Sequence, residues 1–302
     1  MNMTTIAQKS VRIPQRQIPR RFLSAPTLFF MVIITQVPFL LTLYYSFQSW
    51  NLLRPENIRW IGFANYLRPF ADPDFLQILW NSLVLSISVV VVTFIGGMIL
   101  ALLLNRPFLG RGLARTLLIS PFLVMPVVTA VLWKNVLLNP AFGLSTYVLN
   151  IFGLPTVDWL THYPMLAIIA IVSWQWTPFV MLILLSGLQS LPESTMEAAN
   201  LDGATGLGLF RYIVLPHLQR FIEIALLLEV LFVLNIFGEI FVVTSGGPGI
   251  ATTNLPFEIY KEAFLRWNVS RAGAYGVIAV ILANIVVLLF LRVLRNQNQP
   301  SV

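Results

Sequence analysis

Long apolar stretches free of charge dominate the chain. Phe22 to Leu53, Phe75 to Asn105, Thr116 to Trp133, Trp159 to Pro192 and Ala272 to Leu291 contain no Asp, Glu, Lys or Arg. A bilayer span takes ~20 predominantly apolar residues at ~1.5 Å each, so each stretch is long enough for a membrane helix. A further apolar segment, 221–244, has the length of a span but carries Glu223, Glu229 and Glu239. The pattern predicts an all-α polytopic membrane protein with six spans, at 22–47, 80–104, 114–137, 164–188, 221–244 and 273–294. The third span holds Pro121 and Pro126. Each removes a backbone donor, so this span should kink.

Composition agrees. The chain has 302 residues, 57% of them hydrophobic and 10% charged, with a mean hydropathy of +0.81. A soluble domain is roughly 25% charged, and a disordered chain is poor in apolar residues, so both classes are excluded. The net charge of +7 matters by position. Lys9, Arg12, Arg16, Arg20 and Arg21 lie before the first span without an acid among them. Arg106, Arg111 and Arg115, then Arg211 and Arg220, then Arg292 and Arg295 fall in alternate connections and the far tail. The other loops balance basic with acidic residues. Basic residues accumulate on the cytoplasmic side, so both termini are read as cytoplasmic, which requires an even number of spans. The charge is then a topology signal and not a nucleic-acid footprint. The division that follows is a basic tail over 1–21, a six-span body over 22–294 and a short cytoplasmic tail over 295–302. The first apolar run exceeds the ~7–15 residues of a signal-peptide core, so it is read as a retained span.

Catalytic and metal chemistry is not visible in the sequence. A phosphate-binding Walker loop needs Lys after Gly, yet Lys9, Lys134 and Lys261 follow Gln8, Trp133 and Tyr260. The chain does not supply its own ATPase. His162 and His217 fall on opposite sides of the membrane in this topology, so they share no metal site and serve no membrane serine nucleophile at one depth. With no cysteine in the chain, disulfides and thiolate sites are also absent.

The connection 189–220 reads as structure. Ser194 or Thr195 suits a helix cap, and Glu193 and Glu197 suit its N-terminal end. Asp202-Gly203 stops the helix. Phe210, Ile213, Val214 and Leu215 form a second apolar patch, and Pro216 opens the next span. A short helix, a glycine turn and a second helix on the cytoplasmic face fit a groove in another protein; they also fit a plain interfacial connector.

Acids within a span cost ~2.5–3.5 kcal/mol each on insertion scales and usually face a cavity. Phe232, Asn235 and Glu239 fall on one helical face by their spacing. An aromatic ring beside an amide and a carboxylate suits a sugar, whose C–H face stacks and whose hydroxyls hydrogen-bond; a polar contact between helices is the other reading. In the fourth span, Trp174-Gln175-Trp176-Thr177-Pro178-Phe179 combines aromatic rings with a proline that opens the helix. These tryptophans fit a substrate path or lipid-facing packing. An ion-coupled secondary transporter of a small polar solute, with Glu229 and Glu239 as carriers, is the alternative function, although no inverted repeat is apparent.

The string Glu197-Ala198-Ala199, three residues, Gly203, nine residues, Ile213, one residue, Leu215-Pro216 resembles the EAA loop of bacterial ABC-importer permeases. Ser120-Pro121-Phe122 with Pro126, Trp133-Lys134, Asn139-Pro140 and Gly143-Leu144 resemble the carbohydrate branch. Thr244-Ser245-Gly246-Gly247-Pro248-Gly249 resembles that of maltose and glycerol-phosphate permeases, and Ala251-Thr252-Thr253-Asn254-Leu255 the polyol permeases. The resemblance covers roughly residues 20–295. It implies a binding-protein-dependent permease subunit of the bacterial inner membrane, whose EAA loop between the fourth and fifth spans is the coupling helix. Glu197, Ala198, Ala199, Asp202, Gly203, Ile213, Leu215 and Pro216 would meet the ATPase. The implied partners are a second homologous permease, two cytoplasmic subunits that bind ATP and Mg, and an external solute-binding protein. The family's membrane sugar site implies Trp176, Phe179, Glu229 and Phe232 as substrate neighbours. With Gln175, Asn235 and Glu239 they make up the candidate path.

Overall fold

A computed structural model describes residues 20–297; the basic tail up to residue 19 and residues 298–302 lie outside the described residues. The helices are α1 Arg20–Ser46, α2 Ala64–Leu67, α3 Pro73–Asn105, α4 Arg111–Leu123, α5 Pro126–Leu132, α6 Leu144–Ile151, α7 Trp159–His162, α8 Pro164–Gln189, α9 Glu193–Leu201, α10 Gly206–Leu209, α11 Leu215–Val233, α12 Gly238–Val243, α13 Leu255–Tyr260 and α14 Val269–Gln297. A wider helical turn, Trp133–Leu137, continues α5. Among the described residues the only β-pairing is two isolated bridges, Gln48 with Trp60 and Asn51 with Asn268.

Four helices are long and apolar enough to cross a membrane: Ala25–Ser46, Pro73–Asn105, Pro164–Gln189 and Val269–Leu289. The pair α4–α5, bent by 100° at its break, passes the same test of length and composition when its two helices are taken together. Its kink is far sharper than a proline bend. The break falls at Val124-Met125, both extended, because a residue preceding proline is pushed out of the helical region. Pro126 opens α5, whereas Pro121 sits inside α4 without ending it.

The continuous helix expected over 221–244 is interrupted. α11 ends at Val233 and α12 begins at Gly238. Asn235 turns its amide back to the Leu231 carbonyl at 2.7 Å, and Asn254 donates to the Ile236 carbonyl at 2.6 Å. Side-chain amides thus satisfy backbone groups that the helix would otherwise pair. The consequence is that Phe232, Asn235 and Glu239 do not form the helical stripe expected from their spacing.

The centre of the bundle is α3 against α8. Thr93, Gly97 and Ala101 follow one another at four-residue spacing along the buried face of α3, a small-residue stripe that lets membrane helices approach closely. A Cβ on Gly97 would lie 2.9 Å from Val180 and 3.0 Å from the Met181 nitrogen. α11 packs on the far end of α8, where a Cβ on Gly187 would meet the Phe221 ring at 2.6 Å. α1 leans on α14, Gly273 of which faces the Thr42 carbonyl; its outward face, Leu28 to Leu41, is largely exposed apolar surface.

The loops at the Ser46 end of α1 form a connected cap. Asn65 donates to the Ser46 and Gln48 carbonyls at 2.8 and 2.7 Å, and the Leu52 N–H bonds the Trp267 carbonyl at 2.9 Å. Buried Glu258 and Glu262 are held by Lys261, Arg266 and Arg271. At the start of α8, Asp158 caps α7 through Thr161, whose hydroxyl holds the Asp158 carboxyl below its ordinary pKa.

Candidate coupling turn and aromatic site

The connection between α8 and α11 is a folded unit. α9 begins at Glu193, which supplies an acid to its first turn. Ser194 and Thr195 lie inside the helix and Pro192 precedes it, so neither hydroxyl is the cap. At the other end the Asp202 and Gly203 N–H groups return to Ala198 and Asn200, and the Ala204 N–H bonds the Ala199 carbonyl at 2.9 Å. Gly203 has φ +83°, the left-handed termination in which glycine is unstrained. Ala199 is buried and Met196 packs into the core around α8 and α11, while Glu197, Ala198, Asp202 and Gly203 face outward. Leu201, Leu207 and Tyr212 are 89%, 80% and 73% exposed. Ile213 is half-buried, Val214 is buried, and Leu215 and Pro216 are exposed where α11 begins. The result is a protruding acidic and apolar turn on a packed base. His217 fastens that base, its Nε2 within 2.9 Å of Ser190 Oγ and 3.2 Å of the Gly187 carbonyl.

Farther along the same two helices, at the middle of α8 and the far end of α11, lies an aromatic cluster. Trp176 stacks on Phe232 with centroids 5.1 Å apart and planes at 24°. Phe179 meets Phe232 edge-on at 6.0 Å and Trp176 edge-on at 5.8 Å. Phe122, the penultimate residue of α4, completes the cluster at 5.6 Å from Trp176 and 5.5 Å from Phe179. Phe232 remains 47% exposed, and it lies just before the α11 break as Phe122 lies just before the α4 break. The two breaks adjoin, with Gly238 near Pro126 and Val127. The arrangement therefore offers ring faces at a point where two broken helical segments meet, a setting in which membrane proteins place polar-solute sites.

The remaining candidates divide. Gln175 is buried, and its amide donates to the Val124 carbonyl at 2.9 Å. It therefore supports the α4–α5 break. Glu229 is fully buried and accepts the Thr93 hydroxyl of α3, a helix-to-helix contact beside the rings. Glu239 is buried in the first turn of α12. Asn235 is exposed and bonded to its own turn. Among the described residues, no group of three or more His, Cys, Asp or Glu is placed to hold a metal ion.

Residues 93–300 match the family described as the binding-protein-dependent transport system inner membrane component. The chain belongs to this family. A probable ABC transporter permease of Sinorhizobium fredii is 36% identical, with 85% of this chain and 83% of that protein aligned. The trehalose/maltose transport system permease protein MalF of Thermococcus litoralis is 33% identical over 83% of each. A bacterial ABC transporter that imports the acidic polysaccharide alginate has the same fold, with a TM-score of 0.79 at 24% identity over 93% of this chain and 97% of that one. It is also seen in complex with an alginate pentasaccharide-bound periplasmic protein, with a TM-score of 0.78.

Three residues of this permease join the site only through the fold. Phe122 belongs to the Ser120-Pro121-Phe122 run, and only the fold makes it a ring of the site; a proline-bounded aromatic at a predicted kink is the available signal. Thr93 gave none, being one hydroxyl in an apolar run. Lys134, in the turn after α5, donates to the Val242 carbonyl at 2.9 Å, placing a cation at the C-terminal end of α12.

Proposed function

We propose that the chain is one half of the transmembrane channel of an ATP-driven, binding-protein-dependent importer of a sugar or sugar alcohol. It is a multi-pass protein of the bacterial inner membrane. Six crossings are made by α1, α3, α4–α5, α8, α11–α12 and α14 within residues 22–294, with both termini cytoplasmic. The other half is a homologous permease. Two cytoplasmic subunits bind ATP with Mg and hydrolyse it; this chain binds neither. An external binding protein delivers the solute.

One observation carries the reading: the same two helices, α8 and α11, flank the protruding α9 turn and, farther along, hold the Trp176–Phe179–Phe232 cluster at the middle of α8 and the far end of α11. A push on Glu197, Ala198, Asp202 and Gly203 passes through buried Ala199 to the base of the turn, from which Ile213, Leu215 and Pro216 lead into α11. His217 and the Gly187 contact leave that base little freedom to absorb it. Motion of α8 and α11 changes access to the rings, which is the coupling that alternating access requires. The sugar assignment draws on the ring faces, which suit the C–H surface of a pyranose or polyol, and on a relative named for trehalose and maltose transport.

The test is reconstitution with the ATPase subunits and the binding protein encoded beside this chain, followed by uptake of a labelled sugar and polyol panel. ATP-dependent, binding-protein-dependent uptake supports the assignment. Uptake by this chain alone under a proton or sodium gradient replaces it with the ion-coupled reading.

A further inference from the structure

The loop after α5 builds a rigid apolar face that the transport scheme does not use. Asn139 Oδ1 accepts the N–H groups of Ala141 and Phe142 at 2.9 and 3.3 Å. The Thr146 hydroxyl donates to the Asn139 carbonyl at 3.1 Å, and the Gly143 N–H bonds the same oxygen at 2.8 Å. A Cβ on Gly143 would stand 2.5 Å from that oxygen, so the turn accepts no larger residue. On this pedestal α6 presents Leu144, Tyr147, Val148 and Ile151, at the spacing of one helical face, all exposed. Phe142 and Phe152 flank it, 75% and 73% exposed.

We propose that α6 is an interfacial helix lying in the bilayer surface, with this face among lipid acyl chains and α5 beside it. Three observations favour lipid over a protein partner. First, no Asp, Glu, Lys, Arg or His occurs between Lys134 and Asp158, so the face lacks the charged rim of a protein docking surface. Second, the exposed apolar side of α5 and its continuation, through Val127, Val131, Leu132 and Val136, leads along the chain directly to Phe142 and Leu144. Third, aromatic rings at the end of a span are the composition of the membrane interface. The consequence is mechanical. A helix seated in the interface anchors the far end of the broken span, leaving the Val124-Met125 break as its joint.

The inference rests on the membrane-spanning reading above, and the test separates the two. The chain has no cysteine, so Tyr147→Cys and Ile151→Cys each provide a single nitroxide site when the partner subunits are made cysteine-free. The assembled transporter is placed in nanodiscs of phosphatidylethanolamine and phosphatidylglycerol. Collision rates with oxygen, which partitions into lipid, and with a water-soluble nickel chelate are compared. Oxygen collisions severalfold above nickel at both positions are expected. Nickel above oxygen means that the face meets water, and exclusion of both means that a protein subunit covers it; either result overturns the proposal. A label at Ile34→Cys in α1 distinguishes the failures. If it too collides mainly with nickel, the membrane reading itself is wrong. If it does not, only the placement of α6 is.

Discussion

Gln175 on α8 donates its side-chain amide to the main-chain carbonyl of Val124, 2.9 Å away at the break between α4 and α5. A spanning segment bent by 100° exposes backbone groups that lipid cannot satisfy, and this amide takes one of them. Gln175→Leu leaves this half-buried carbonyl without its side-chain donor, at a cost of ~1 kcal/mol. A lowered unfolding midpoint in detergent is expected, together with greater mobility of a spin label at Met125→Cys. An unchanged midpoint and label would remove the latch from the account.

The aromatic cluster makes a separate prediction. Phe122→Ala and Phe232→Ala each delete a ring that touches Trp176 and Phe179. Each should raise the half-saturating sugar concentration roughly three- to tenfold, the equivalent of ~0.5–1.5 kcal/mol, with assembly of the complex intact. Phe122 is the more informative of the pair. Concentration-dependent uptake in proteoliposomes reads the effect, and wild-type saturation in both variants would dismiss the cluster as packing.

Close helix approach is tested at Gly97 and Gly187. Either glycine changed to Val puts methyl groups into space already held by Val180 and the Met181 backbone, or by the Phe221 ring. Overpacking of this kind costs ~1–3 kcal/mol. Gly187→Val should be the worse of the two, because its contacts are closer and the nearest atom, Phe221 Cγ at 2.6 Å, lies on the axis about which the ring turns and cannot rotate clear. Thermal midpoints of the purified complexes check the order.

Thr93 and Glu229 add a prediction about a buried acid. Thr93→Val removes the hydroxyl donated to the Glu229 carboxylate while keeping the shape of the side chain. The acid is then left without this donor, so stability should fall by ~1–3 kcal/mol. In the background of Glu229→Leu the same change should cost much less. A double-mutant cycle on unfolding midpoints measures that difference, and additive effects would argue against the contact.

How much of this was legible beforehand depended on the kind of signal. Helices α1, α3, α8 and α14 were readable because their charge-free runs match the bilayer length. The glycine stop after α9 was readable because its left-handed turn needs glycine at position 203. The stripe of Phe232, Asn235 and Glu239 failed because helical spacing assumes an unbroken helix. That helix breaks under tertiary hydrogen bonds, among them one from Asn254, which is remote in sequence and carries no local mark. For the same reason Gln175 looked like a substrate ligand when its donor serves a distant backbone. Trp176, Phe179 and Phe232 do meet, but Phe122 joins them only through the 100° bend, whose angle the two prolines did not specify.

The most direct test of the central claim is binding-protein-stimulated ATP hydrolysis by the reconstituted transporter carrying Glu197→Lys or Gly203→Asp. Both positions are exposed on the α9 turn; Glu197→Lys leaves the glycine turn intact and Gly203→Asp strains only that turn, so insertion of the membrane helices should be retained. If the turn transmits closure of the ATPase subunits to α8 and α11, both variants lose stimulated hydrolysis and uptake together. Wild-type stimulation and uptake in either variant would contradict the account.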